Sequence, residues 1–239
     1  MKLLIAVAAA LLGLSAVPAA AQDQTQVEEI VVTGSRVREW DVNEVPAVKV
    51  PHRADNLIVA VRVVNDTREA ALRRTELVQT LRSMARAAEG RPDIALSIED
   101  DGALVPLTED MVSTLTLGAD GSRADTGTAS LVVKTPIRAD DTLDSASARI
   151  EQFVARADKT GRSLVDVAGD WELSIVNPAQ YRGAILAAIA EDARRTAATF
   201  GSGYAVEVSG LSNPVTWKQS GPLDLAMFIP FALTVTPQP

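Results

Sequence analysis

The sequence predicts an α+β fold, largely antiparallel β-sheets with three amphipathic helices packed on one face, and three observations carry that reading. Apolar residues alternate with period two in several short runs. They recur at three- and four-residue steps in three longer runs. The two kinds follow one another in the order β-α-β-β-β-α-β-α-β-β, which lets helices cover one side of a sheet whose strands mostly run against each other.

Taken in order, the first β-prone run is Glu29 to Arg36, ended by Gly34 and Ser35. Pro46 and Pro51 then interrupt a charged stretch that reads as a connection or an irregular edge strand, because proline cannot donate to a ladder. Leu57 to Val64 is the strongest strand, with Leu57, Val59, Val61 and Val63 filling one face and Arg62 among apolar residues on the other. A helix follows, with Asp66 as its expected cap and Glu69 three residues on in a capping-box place. Ala70, Leu77, Leu81, Met84 and Ala88 form its apolar stripe, and Gly90 and Pro92 mark its end, Gly90 as a left-handed stop.

A β-rich middle comes next, with strands expected at Ile94 to Ile98, Met111 to Leu117 and Ala129 to Ile137. The second helix is expected from about Asp141, its cap, to Lys159, with Gly161 as its stop. Trp171 to Val176 returns as a strand. Asn177 and Pro178 supply a cap and a first-position proline for the third helix, which runs to about Phe200 and stops at Gly201. Tyr204 to Ser209 and Leu225 to Val235 close the fold as two strands.

The N-terminus reads as a leader. Met1 and Lys2 are a short positive region, Leu3 to Val17 is an apolar run, and Pro18 precedes Ala19-Ala20-Ala21, the small-residue pattern before a cleavage site at Gln22. The apolar run is shorter than the roughly 20 residues that span a bilayer. No cysteine follows it, so no lipoprotein acylation site exists. The division is therefore a signal peptide at 1-21, an N-terminal segment at 22-56 and an α+β domain at 57-239, in a protein expected to be exported to a periplasm, with no transmembrane segment after cleavage and with peripheral association with an outer membrane as an option.

Composition narrows the chemistry. Cysteine is absent and His52 is the one histidine, which removes disulfides, thiol nucleophiles, Cys/His zinc sites and any serine triad that does not use His52. His52, between Pro51 and Arg53, has no acidic or hydroxyl pattern beside it and reads as a surface loop residue. With a net charge of −8 the chain lacks a basic nucleic-acid footprint. The acidic clusters Glu99-Asp100-Asp101-Gly102 and Asp120-Gly121-Ser122 with Asp125 fail as calcium loops, since the first ligand position falls on Ser97 or Thr116. They read as solvated turns. The paired carboxylates Glu109-Asp110 and Asp140-Asp141 face different ways, and Gly201-Ser202-Gly203 follows a helix instead of leading into one, so it cannot aim helix N–H groups at a phosphate. Trp40, Trp171 and Trp217 are scattered and read as core or interface material. Arg68, Arg73, Arg74, Arg82 and Arg86 make a basic stripe on the first helix, read as a solvated face paired with Glu69, Glu76 and Glu89, with an acidic-partner or lipid-headgroup surface as the sharper alternative. No catalytic residue, cofactor site or metal site is assigned, and the expectation is a binding or structural module, not an enzyme.

Several segments resemble a known family. Val32-Thr33-Gly34, the Val-rich Leu57 to Val64, Thr67-Arg68-Glu69-Ala70-Ala71, Ser130-Leu131-Val132-Val133, Leu143 to Ala157, Ala184 to Thr199 with Glu191-Asp192-Ala193-Arg194, Val206-Glu207-Val208-Ser209-Gly210-Leu211 and Phe228 to Val235 stand in the order of the SIMPL (DUF541) family. The resemblance implies a periplasmic envelope protein that self-assembles, hence a homo-oligomer and an envelope protein partner. It departs from the family where some 20 residues with Pro46 and Pro51 follow the Val-Thr-Gly strand. A second likeness falls on Glu28 to Arg36, which is similar to a TonB box; yet the 239 − 21 = 218 residues expected after cleavage cannot supply the barrel of roughly 22 strands that a TonB-dependent receptor needs. A TonB-engaging tail on a periplasmic accessory protein is the form that alternative takes, and an envelope hydrolase using carboxylates alone is the enzymatic one. Self-association has a further motive in Leu225 to Leu233, apolar on both alternating faces, which needs a cover from a second copy or from the chain's own N-terminal strand.

Overall fold

The computed structural model describes residues 45-100, 103-121 and 123-238. The leader, Glu28 to Arg36 and Trp40 lie outside the described residues, as do Asp101 and Gly102 of the first acidic cluster. Twelve strands and three α-helices occur among the described residues, in antiparallel sheets, so the α+β expectation holds.

The strands are β1 (Val50–Arg53), β2 (Asn56–Asn65), β3 (Ala95–Asp100), β4 (Ala103–Pro106), β5 (Gly118–Asp120), β6 (Arg123–Pro136), β7 (Ser163–Val167), β8 (Glu172–Ser174), β9 (Tyr204–Ser209), β10 (Thr216–Gln219), β11 (Asp224–Phe228) and β12 (Ala232–Pro237). The helices are α1 (Ala70–Glu89), α2 (Leu143–Ala155) and α3 (Arg182–Phe200).

The larger sheet runs β4-β3-β6-β2-β7, with β5 beside β6 and β8 beside β2. Its axis is β2 against β6, paired along their length from Asn56↔Pro136 to Asn65↔Gly127. Alternation decides which face is buried: Leu57, Val59, Val61 and Val63 are at most 1% exposed, whereas Ala60 on the opposite face is exposed. α1 and α2 cover the buried face. Leu77, Leu81, Met84 and Ala85 of α1 and Ile150, Phe153 and Val154 of α2 meet Val59, Val61, Val63, Leu131, Val133 and Val165 in one core.

A second core lies around the three-stranded sheet β1-β11-β10, with Ile185 and Ile189 of α3, Leu173, Ile175, Trp217, Leu225 and Met227. α3 therefore packs on β9 and β1 instead of joining α1 and α2 on the larger sheet. β9 and β12 pair only with each other among the described strands.

Several expected details change. Met111 to Leu117 overlaps a 3-10 turn over Asp110–Thr114 and is not a strand. Leu225 to Val235 is two strands in different sheets, parted by Ile229-Pro230-Phe231. Its apolar first half is covered within the chain: β11 has β1 on one side and β10 on the other, and Leu225, Ala226 and Met227 are fully buried. The irregular stretch around Pro51 is β1, an edge strand, as its proline demands.

Helix ends also differ. The α1 cap is Glu69, whose carboxylate accepts the N–H groups of Ala71 at 3.0 Å and Leu72 at 2.7 Å; Asp66 is engaged elsewhere. Gly90 closes that helix at φ −79°, in the right-handed region. Thr142 caps α2 through a reciprocal box with Ser145, and Asp141 stands one residue outside. α2 ends at Ala155, six residues before Gly161. Asn177 makes no side-chain cap bond; Pro178 opens a short 3-10 turn that leads into α3, and Gly201 ends α3 at φ +84° as expected.

Candidate functional site: an arginine-lined cleft

Three strands of the larger sheet end at one place. Asn65 closes β2, Ser163 opens β7 opposite it, and the first residues of β6 lie on the other side. The loop from β2 into α1 crosses the same edge. Here Asp66, Arg68, Arg123, Asp125, Thr126 and Arg162 line an open cleft of about 720 Å³. A smaller cleft of about 190 Å³ shares Thr126 and runs along α1 past Arg73 and Arg74.

The floor is organised by one carboxylate. Glu76, on the second turn of α1, accepts from Asn65 Nδ2 at 2.9 Å, from Thr67 Oγ1 at 2.5 Å and from the Arg162 backbone N–H at 3.2 Å, all at Oε2. Asn65 itself is fully buried; it donates to Ser163 Oγ at 3.0 Å and accepts the Thr67 N–H at 2.9 Å. The Thr67 hydroxyl is the largest influence holding the Glu76 carboxyl below its ordinary pKa, with Asn65 and the Arg162 amide adding to it. Glu76 thus ties the β2–α1 loop to the loop before β7. One turn along, Thr80 Oγ1 accepts the Thr160 N–H at 3.0 Å and fastens the same loop again.

On this base stands a surface ion pair. Arg162 Nε and Nη2 donate to the two Asp66 oxygens at 2.6 and 3.0 Å, the two-pronged geometry that suits a guanidinium. That bond is the main cause of the lowered Asp66 pKa, and Arg123 lowers it further by its charge. Arg123 therefore stands close to Asp66 without being bonded to it. Among the described residues the Arg68 and Arg123 guanidinium groups have no hydrogen-bond or ion-pair partner.

The basic stripe of α1 is used differently from the expected pairing with Glu69, Glu76 and Glu89. Glu69 is the cap and Glu76 the hub. Arg86 makes its ion pair with Glu109 across to the 3-10 turn, and Arg73 donates to the carbonyls of Thr67 at 2.7 Å and Arg68 at 3.4 Å.

His52 is not the loop residue its neighbours suggest. It sits on β1, half-buried, its ring 4.6 Å from that of Tyr181, with Nε2 2.8 Å from the Tyr181 hydroxyl and 3.5 Å from Asp55 Oδ1. Asp55 Oδ2 accepts the Val176 N–H at 2.7 Å, so the group joins β1 to the segment leading into α3. Burial raises the Tyr181 pKa, with the Asp55 charge adding to it. Sequence reasoning missed this cluster because its partner lies 129 residues away.

One member of each carboxylate pair is held by an arginine. Glu109 is held by Arg86, and Asp141 by both prongs of Arg149 at 2.6 Å, at a place where the two side chains are 6% and 13% exposed. Asp120 bonds Arg62 at 2.8 Å. Glu172 is the exception: burial raises its pKa, and the charges of Asp170 and Glu99 add to the effect. No group of three His, Cys, Asp or Glu side chains suited to a metal ion occurs among the described residues, and no described helix is long and apolar enough to cross a membrane.

No family model, curated protein or solved structure matches the chain.

Proposed function

We propose that the chain is an exported protein of the cell envelope that works by binding instead of catalysis and that associates with copies of itself, as its SIMPL resemblance implies. The observation that most supports binding is the use of charge in the cleft. Arg162 occupies both Asp66 oxygens and Asp66 holds the Arg162 guanidinium, so the carboxylate is spent on positioning, and the bond moves its pKa further from neutral pH, where a proton donor would need to titrate. Arg68 and Arg123 then remain as cations on different elements facing one opening. Guanidinium groups stay charged at any working pH and recognise charge, whereas acid–base chemistry needs a group that titrates near working pH.

Self-association finds its support at the β9–β12 ribbon. α3 packs on β9, but the outer edges of the ribbon pair with no other described strand, and the exposed Phe200 and Tyr204, rings 5.9 Å apart, flank one end. Light scattering coupled to size exclusion should give a mass above that of one chain. A monomer at micromolar concentration would contradict this part of the reading.

The carboxylate hydrolase has one observation in its favour, the raised pKa of Glu172 beside Asp170 and Glu99. A broad hydrolase screen separates the two readings. Binding without turnover is expected, and turnover that disappears in Glu172→Gln would replace the binding module with an enzyme.

A further inference from the structure

We propose that the arginine-lined cleft is a binding site for a phosphomonoester dianion, with Arg68 and Arg123 as its cationic prongs and Arg162 as a third, pre-positioned one. The inference rests on the binding-module reading and names its ligand class.

The argument begins with charge. The cleft brings three guanidinium groups together on a chain whose net charge is −8, drawn from the β2–α1 loop, the start of β6 and the loop before β7. Two carboxylates oppose them. Asp66 is neutralised by Arg162, so the effective balance at the opening is Arg68 and Arg123 against Asp125. Such a cleft attracts a dianion more than a monoanion, because each guanidinium interacts with twice the charge, and a phosphate monoester offers three terminal oxygens where a carboxylate offers two.

Preorganisation is the second point. An arginine loses considerable side-chain freedom when it is fixed on a ligand, and affinity rises when that loss precedes binding. Arg162 meets this condition twice: its backbone N–H is anchored to Glu76 and its guanidinium to Asp66, at 3.2, 2.6 and 3.0 Å. Gly161 just before it has φ +58°, and a Cβ there would fall 2.0 Å from the Glu76 carboxyl carbon. The loop is thus shaped to bring a backbone right up to Glu76. The α1 N-terminus contributes no free N–H groups at Ala71 and Leu72, since Glu69 takes both, so recognition falls to side chains.

Asp125 sets the selectivity. A carboxylate beside an anion site repels bare phosphate but accepts a hydroxyl, so an ester of a polyol gains a partner that inorganic phosphate lacks.

Isothermal titration of the full chain with inorganic phosphate and with glycerol 3-phosphate tests this at constant ionic strength, with acetate as the monoanion comparison. Vesicles of phosphatidic acid in phosphatidylcholine form a further arm that separates a lipid source from a soluble one. Saturable binding is expected for both soluble phosphates, tighter for glycerol 3-phosphate and absent for acetate. Arg68→Ala and Arg123→Ala should each weaken it about tenfold, a loss on the scale of one charge-assisted contact. Asp125→Asn should tighten inorganic phosphate, and Arg82→Ala, on α1 beyond the cleft, should change nothing. Vesicle binding that Arg123→Ala abolishes would support a lipid phosphomonoester as the source. Absence of saturable binding, equal binding of acetate, an equal loss in Arg82→Ala, or vesicle binding without binding of either soluble phosphate would overturn the proposal. None of these touches the binding-module reading, which falls to Glu172-dependent turnover instead.

Discussion

Glu76 does the work at the residue scale that a sequence reading gives to a surface glutamate. Three donors, from the end of β2, the β2–α1 loop and the loop before β7, converge on one of its oxygens, and hydrogen bonds to the ionised form lower its pKa. A carboxyl whose pKa is lower folded than unfolded adds stability above its unfolded value and loses that contribution as pH falls through its folded value. Glu76→Gln should therefore lower the melting temperature at pH 7, with the gap from the native chain narrowing as pH drops below the ordinary glutamate range. A gap of constant size across that range would show that charge plays no part. Gly161→Ala is the companion test. It introduces both a positive-φ strain of about 1 kcal/mol or more and a methyl group inside contact distance of a tethered carboxylate, so its unfolding midpoint should fall, and its loss should shrink in a Glu76→Ala background.

Elements meet through a second carboxylate. Asp141 holds the start of α2 against the end of β6: it takes both prongs of Arg149, the Arg138 N–H at 2.7 Å and the Ser145 hydroxyl at 2.9 Å, while Arg149 also donates to Thr135 Oγ1 and the Pro136 carbonyl. Arg149 drives its pKa well below the usual aspartate range. Removing one partner of a pair this buried leaves the other uncompensated, so Asp141→Asn should cost about 3 kcal/mol in denaturant unfolding at pH 7. The native chain should lose the same contribution as pH falls from about 4 toward the depressed pKa. Regular periodicity made such elements legible, as β2 and the apolar stripes of the helices show. What was not legible is which residue wins a competition. Asp66 is a good cap on local grounds, but Arg162, 96 residues on, takes it, and Glu69 fills the vacancy. Met111 to Leu117 has strand-like composition, yet its first half belongs to a 3-10 turn that buries Val112. Leu225 to Val235 reads as one strand because each half is apolar, yet Pro230 falls where the chain leaves one sheet for another. The cleft was invisible for the same reason: its arginines come together only through the pairing of β2 with β6 and β7.

The whole molecule joins its two cores through shared elements. β2 places Leu57 in one and Val59, Val61 and Val63 in the other; α2 does likewise with Ala146 and Ile150; Trp171 packs against both. Unfolding should accordingly be a single cooperative transition, with fluorescence and far-ultraviolet circular dichroism coinciding, and separate midpoints would mean that the cores melt independently. The central claim, that this chain recognises an anion at the edge where β2, β6 and β7 end, is tested most directly by backbone amide chemical-shift mapping of the full chain titrated with glycerol 3-phosphate. The account predicts saturable shifts confined to Asp66 to Arg68, Arg123 to Thr126 and Gly161 to Ser163. Shifts scattered over the surface, or gathered around His52 and Tyr181 instead, would contradict it.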